Sequence, residues 1–335
     1  MKPRRRRSRG AELALVGCLL AAGNAAGRQD TRPEPFSFGA SGDLGEAGSA
    51  PLVSLGNALA RSGAAFFLAL GDLGYSPNEQ GWCASIKSRF PDVEIIVGNH
   101  DTLENGPGRI ANFVKHCPFT LRGITVHGGA NTPGYGYEYY FDYPAVNPAA
   151  RFILIAPGIQ GELSYSFRPG SSHYRFASDA IDDARRAGIP WVIAAMHKNC
   201  VTTGLAYLNC QTGPDIQRLF LEKRVDLVLN AHDHNYQRSK QLRCVDLSAF
   251  RKPCVTGDGP TYVKGEGTVF ITQGAGHEFY RVQRPLSLYY AAAQDQETGF
   301  VQYTITATTI VGTFVSTSGA YRDRFTIAGV AAKAP

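Results

Sequence analysis

The chain has no run of 18 apolar residues, no Cys-x-x-Cys pair, no internal repeat and no low-complexity linker. The first absence excludes a membrane-spanning helix, and the second argues against a thiolate zinc site. The last two exclude a solenoid and tethered domains. Charge is scarce as well. Of a formal net charge of +6, residues 1–26 carry +5, through Lys2, Arg4, Arg5, Arg6, Arg7 and Arg9 against Glu12, which leaves about +1 for the body. A nearly neutral body without a basic stripe interleaved with aromatics lacks the electrostatic footprint of nucleic-acid binding, so no nucleic-acid partner is expected.

What is present is a globular composition, 44% hydrophobic and 19% charged over 335 residues. The basic start, the apolar stretch Leu13 to Ala22 and the small residues Gly23, Ala25 and Ala26 read as a signal peptide over 1–26. A single catalytic domain over 27–327 and a flexible tail over 328–335 follow. Export places the protein outside the cell or in a periplasm. Leu15-Val16-Gly17-Cys18 is the competing lipoprotein signal, and a lipid on Cys18 would be the only membrane association. Six cysteines remain after the signal, an even number that favours disulfides in an exported chain. Local pairing joins Cys200 to Cys210 and Cys244 to Cys254, leaving Cys83 for Cys117. Nothing in the sequence fixes the oligomeric state.

Short apolar runs that end in polar loops predict strands at Phe36 to Ala40, Ala64 to Leu70, Val93 to Val97, Arg151 to Ala156, Trp191 to Ala195, Val225 to Asn230 and Thr268 to Gln273. Helical spacing fits Gly48 to Ser62, Ala177 to Ala187 and Pro214 to Lys223. Gly134 to Tyr143 reads as an aromatic-packing strand, and the chain from Val301 to Val315 and from Asp323 to Ile327 as β-rich. This alternation predicts an α/β sandwich.

Five strand-to-loop junctions carry metal-binding residue types: Gly42-Asp43, Gly71-Asp72, Gly98-Asn99-His100-Asp101, Met196-His197 and Ala231-His232-Asp233-His234. A Gly-Asp pair alone marks a turn, and a lone histidine is more often structural. Their recurrence at strand ends, where α/β folds place their sites, is what points to function. Oxygen donors mixed with imidazole suit zinc, iron or manganese rather than calcium. Asp43, Asp72, Asn99, His197, His232 and His234 offer more donors than one tetrahedral ion takes, so two ions are implied, with one aspartate able to bridge them at about 3.5–4 Å.

These residues resemble the calcineurin-like metallophosphoesterases, and within them the small purple acid phosphatases. The resemblance runs from about Phe36 to His277 and rests on Gly71-Asp72-Leu73-Gly74-Tyr75, Gly98-Asn99-His100-Asp101 and Asn230-Ala231-His232-Asp233-His234-Asn235-Tyr236. Gly45 stands where the broader superfamily has a histidine, and Tyr75 stands where the purple enzymes have an iron-bound tyrosinate. The resemblance implies a four-layer α/β/β/α sandwich. It also implies hydrolysis of small phosphate monoesters by water activated at two metal ions. Asp43, Asp72, Tyr75 and His234 would hold ferric iron. Asp72 would bridge to iron, zinc or manganese held by Asn99, His197 and His232. His100 would contact phosphate or protonate the leaving group, with Asp101 orienting it. A phosphodiesterase or nucleotide hydrolase with the same centre is the alternative, and an inactive binding protein the remaining one. The chain departs from the purple pattern at Leu44, Leu73 and Met196, which bear on the pocket wall. Lys198 to Gly213 holds no second histidine for the leaving group, so Lys198, His277 and His173 stand open for that role.

Overall fold

The computed structural model describes residues 32–129 and 131–329; the expected signal segment, with Cys18, and residues 330–335 of the expected tail lie outside them. Period-two alternation sorts the central strands onto two apolar faces. Along Ala150–Leu154, Trp191–Ala195 and Leu227–Asn230, the side chains Phe152, Leu154, Trp191, Ile193, Leu227 and Leu229 enter one cluster, while Ile153, Val192, Ala194 and Val228 enter another. Strands buried on both faces read as unbroken apolar runs, which is why these were visible in the sequence.

Two mixed sheets result. One orders Thr261–Val263, Arg322–Ala328, Thr309–Ser316, Gly299–Ile305, Phe36–Ser41, Phe66–Ala69 and Val93–Ile95. The other orders Tyr290–Gln294, Tyr236–Ser239, Val269–Gln273, Leu227–Asn230, Trp191–Ala195, Ala150–Leu154, Tyr139–Tyr143 and His127–Gly128. Aromatic rings bind them face to face: Phe38 stacks on Phe66 at 5.3 Å and meets Phe152 edge-on at 5.0 Å. Helix Ala50–Ser62 covers the first sheet, where Leu59 packs over the bare Cα of Gly39. Helices Ser172–Arg186 and Pro214–Glu222 cover the second through Ala177, Ile181, Ile216 and Phe220. Helices, sheet, sheet and helices give the four-layer α/β/β/α sandwich.

Among the boundaries that differ from the sequence reading, three are instructive. The helix expected from Ala177 starts at Ser172, because the Ser171 hydroxyl accepts the Tyr174 N–H and caps a polar first turn that has no apolar period to read. Of Gly134 to Tyr143 only Tyr139–Tyr143 is strand, since Gly134 and Gly136 turn the chain with φ of 85° and 84°. The last strand extends through Ala328, which pairs with Thr309 and Val263.

The cysteines pair locally as the spacing suggested: Cys83–Cys117, Cys200–Cys210 and Cys244–Cys254. Thiol titration of the denatured chain should find none of these six reactive, and removing one pair should cost about 2–4 kcal/mol in denaturant unfolding. Six reactive thiols would contradict the pairing.

Candidate metal centre

Parallel strands place their C-terminal ends together, and here two sheets do so at one edge. The loops after Ser41, Ala69, Ile95, Ala195, Asn230 and Gln273 converge there, stitched by backbone bonds such as Asp43 N–H to Gly71 O (3.1 Å), Gly42 N–H to Gln273 O (3.0 Å) and Ala231 N–H to His197 O (2.8 Å). The approach leaves no room for side chains at the crossing points. A Cβ on Gly98 would lie 2.1 Å from the Asp72 nitrogen, which accounts for the glycine before Asn99. Asp43, Asp72 and His232 turn through left-handed backbone with φ of 55°, 47° and 69°, a conformation that non-glycine residues hold only where the surroundings impose it.

Asp43, Asp72, Asn99, His197, His232 and His234 are all buried, while Tyr75 and His100 are half-buried. Each aspartate is aimed by a backbone donor from another loop: Asp43 Oδ2 accepts the His232 N–H at 2.8 Å, and Asp72 Oδ1 accepts the His100 N–H at 2.8 Å. The second oxygen of each faces a ring nitrogen. Asp43 Oδ1 lies 3.3 Å from His234 Nε2 and 3.5 Å from the Tyr75 hydroxyl; Asp72 Oδ2 lies 3.3 Å from His197 Nε2. His197 Nε2 is also 3.1 Å from Asn99 Oδ1, and Asp72, His197 and His232 bring ligand atoms within 4.8 Å of one another.

The fit to a cation follows from His197. Its Nδ1 lies 2.8 Å from the Leu70 carbonyl, an acceptor, so Nδ1 carries hydrogen and donates. Nε2 then aims a lone pair at two oxygen acceptors, an arrangement that needs a positive charge between them. With metal–donor bonds of about 2.1 Å, two donors sharing one ion sit about 3.0–3.4 Å apart, close to the separations found here.

The proton takes that place in the metal-free chain. Burial lowers the His197 pKa, but the Asp72 carboxylate overrides it and raises the value to about 9. Burial likewise opposes ionisation of Asp72, and the charge and hydrogen bond of His197 with the charge of His100 outweigh it, holding Asp72 well below the usual carboxylate range. His232 is pushed down to about 2, by burial first and His197 second, so its lone pair is available throughout. The Tyr75 phenol is pushed up, by burial and then by Asp43 and Asp72, and stays protonated without a cation beside it.

Asp101 sits elsewhere in the constellation. Its carboxylate accepts the N–H groups of Gly98 (2.8 Å) and Leu73 (3.1 Å), tying the second and third loops together rather than gripping the His100 ring. Burial first, and Asp72 second, push it up to about 8. His100 Nε2 lies 3.9 Å from Asp72 Oδ2, at the open side. Of the three side chains left open for the leaving group, Lys198 is buried in a 2.7 Å ion pair with Glu104, and His173 is bound to buried Glu138 at 2.7 Å. Only His277 joins the centre. Its ring lies 4.7 Å from Tyr75, Nδ1 donates to the Asp43 carbonyl at 2.8 Å, and its Cβ fills the space beside Gly45, 3.0 Å from where a Cβ at that position would sit.

Two neighbours escaped the sequence reading. Tyr207 stacks on His232 at 3.9 Å and Tyr280 on His234 at 4.1 Å. Neither ends a strand, so neither joined the pattern; Tyr207 lies within the very stretch searched for a histidine.

The family model for calcineurin-like phosphoesterases matches residues 36–236. The chain belongs to that family. Purple acid phosphatase 1 of Ipomoea batatas is 26% identical over 257 residues, 72% of this chain and 50% of that protein. A nucleotide pyrophosphatase/phosphodiesterase of Hordeum vulgare is 24% identical over 231 residues, 64% of this chain and 61% of that protein. The solved purple acid phosphatase PPD1 of Lupinus luteus superposes with a TM-score of 0.71 over 89% of this chain and 55% of its own, at 18% identity, and shares the fold. The chain thus spans between half and about three-fifths of the length of these relatives.

Below about pH 9 a cation must displace the His197 proton, so binding strengthens as pH rises and weakens as it falls. Zinc titrated into the metal-free protein at about pH 7 should release at least one proton, seen as a dependence of calorimetric enthalpy on the buffer's ionisation heat, with affinity falling about tenfold per pH unit on acidification. A pH-independent affinity would contradict the proton at His197.

Proposed function

We propose that the chain is a phosphate monoester hydrolase of purple acid phosphatase type with a binuclear metal centre. The reading is supported by two donor groups, the second of which clusters with Asp72. Asp43, Tyr75 and His234 form one, suited to Fe(III) because it includes a phenol; Asn99, His197 and His232 form the other, suited to iron, zinc or manganese. Asp72 would serve both donor groups. Bound there, the ions would supply Lewis acidity toward phosphoryl oxygens and water of lowered pKa.

The chain's own residues divide the remaining work. His100, half-exposed beside the shared aspartate, holds the ester and returns a proton to the leaving oxygen. Asp101 positions it indirectly, by fixing the backbone on either side of the third loop. The aspartates stay aimed through N–H groups of other loops, so the donors are set before a cation arrives. A complete donor set favours an active enzyme over an inactive binding protein. The diester reading keeps its place because one relative is named a phosphodiesterase. Three disulfides fit an exported protein, secreted or periplasmic.

The metal-loaded chain should hydrolyse nitrophenyl phosphate faster than its bis-ester; the reverse preference would select the diesterase reading. Asp72→Ala should lose both ions by metal analysis and lower kcat/KM by about a thousandfold or more. Two tightly held ions in that variant would refute the shared role. If Tyr75 binds ferric iron as phenolate, the oxidised, iron-loaded enzyme should be purple to pink, and Tyr75→Phe should bleach it while the fold persists. A colourless active wild type, or a coloured variant, would refute the Tyr75 assignment and leave metal-dependent hydrolysis standing.

A further inference from the structure

The last torsion of a histidine side chain is soft, so a ligating imidazole needs an outside restraint on its plane. The usual one is a hydrogen bond to the ring nitrogen turned away from the ion. His197 has it, through Nδ1 to the Leu70 carbonyl at 2.8 Å. His234 lacks it. Its Nε2 faces Asp43 and Tyr75, while its Nδ1 is buried without a hydrogen-bond partner among the described residues. His232 uses its backbone N–H on Asp43, and its ring is bounded by other rings.

Each of these two imidazoles has a tyrosine lying on its face. The Tyr280 ring is 4.1 Å from His234 at 11°, and the Tyr207 ring is 3.9 Å from His232 at 18°, with His197 edge-on to His232 at 5.0 Å. An imidazole turned out of such a stack would drive its edge into the phenol. That restraint is as stiff as the tyrosine itself, and both are held by their backbones. The Tyr280 N–H donates to His234 O at 2.9 Å, and its carbonyl accepts from the Asn235 side chain at 3.1 Å. Tyr207 lies in a loop closed by Cys200–Cys210 and anchored by Asp233, which accepts from Asn199 and Thr202. A Cβ on Gly204 would lie 2.3 Å from the Asp233 carboxylate, so this loop sits on the turn that carries both histidines. The two tyrosine-bearing loops also brace one another. Leu205 N–H donates to Arg281 O at 2.9 Å and Gln283 N–H to Thr203 O at 2.6 Å, with Gly204 and Val282 bridged between.

On the reading of the site as a binuclear metal centre, we propose that Tyr207 and Tyr280 are positioning residues whose rings aim the imidazoles of His232 and His234 by stacking, in the place that a hydrogen bond fills for His197. The ring does this, and neither hydroxyl is required. The work divides by ion: Tyr280 serves the group of Asp43, Tyr75 and His234, and Tyr207 serves the group of Asn99, His197 and His232. An imidazole that gives its lone pair to a cation becomes electron-poor, so the π face of the phenol favours the ligated form as well as the ring's direction.

Tyr207→Leu and Tyr280→Leu remove the flat ring and keep an apolar side chain, whereas Tyr207→Phe and Tyr280→Phe keep the ring and remove the hydroxyl. Zinc is titrated by calorimetry into the iron-loaded full chain, and iron retention against a chelator is followed by metal analysis. Tyr207→Leu should weaken zinc about 10-fold or more, the range for losing a partner that orients a ligating histidine, and leave iron in place. Tyr280→Leu should weaken iron by a similar factor and spare zinc. Each Phe variant should hold both ions within about twofold of wild type. Leu variants that match wild type would overturn the proposal, and so would Phe variants that fall as far as the Leu variants. Loss of both ions from both Leu variants would overturn it too, assigning the loops a general structural role. A measurement on the unaltered chain stands beside these. In the metal-free protein, ring current should move the imidazole proton resonances of His232 and His234 upfield, and the shift should persist in the Phe variants; unshifted resonances would overturn the stack. Wild type that takes up neither ion refutes the metal-centre reading and this proposal with it, whereas wild type that takes up both and is matched by the Leu variants refutes the proposal alone.

Discussion

The centre depends on two carboxylates, Asp43 and Asp72, buried within one cluster of loops and each facing an imidazole nitrogen. Taking one carboxylate from water without compensation is costly, and a second beside it raises the cost through repulsion. The structure answers with positive charge on imidazole and with backbone N–H groups on the second carboxylate oxygens. Much of the local sequence follows from that need. The N–H groups come from neighbouring loops, so the loops must nearly touch; near-contact requires glycine at Gly98 and Gly71, and the tight turn forces the ligand residues themselves into left-handed backbone.

The fold supplies the convergence. Parallel strands from both sheets end at one edge, and the aromatic layer between the sheets, with Phe38, Phe66 and Phe152 in mutual contact, sets their spacing. A change in that layer would move strand ends that must meet within a few ångströms, so packing far from any donor bears on the geometry of the donors. The disulfides act in another place. None includes a donor; Cys200–Cys210 and Cys244–Cys254 each close a surface loop, the first of them the loop that carries Tyr207.

Legibility in the sequence followed the same division. Strands buried on both faces, and donors attached directly to their ends, produce a run and a stop, and every one of the five donor-bearing junctions lies at the shared edge. Boundaries set by single side-chain hydrogen bonds, such as the Ser171 cap, leave no periodic trace. Residues brought to the site by loop–loop pairing were illegible because the pairing joins residue 204 to residue 282, and no local pattern encodes a bridge of that span. The three side chains left open in sequence differed only in their partners. Glu104 claims Lys198 and Glu138 claims His173, whereas His277 enters because position 45 has no side chain to exclude it.

That substitution of space has a further consequence. A histidine at position 45 would need the room now held by His277, whose ring contacts Tyr75 and whose Nδ1 donates to the Asp43 carbonyl. The bare Cα at position 45, the phenol at position 75 and the imidazole at 277 are therefore one coupled arrangement. Restoring a side chain at position 45 alone would collide with His277 and would place an L-residue at a φ of 79°, where a Cβ is strained. Gly45 and Tyr75 are thus coupled sterically through His277, and a single substitution toward the histidine-bearing motif would disrupt the packing of the present site.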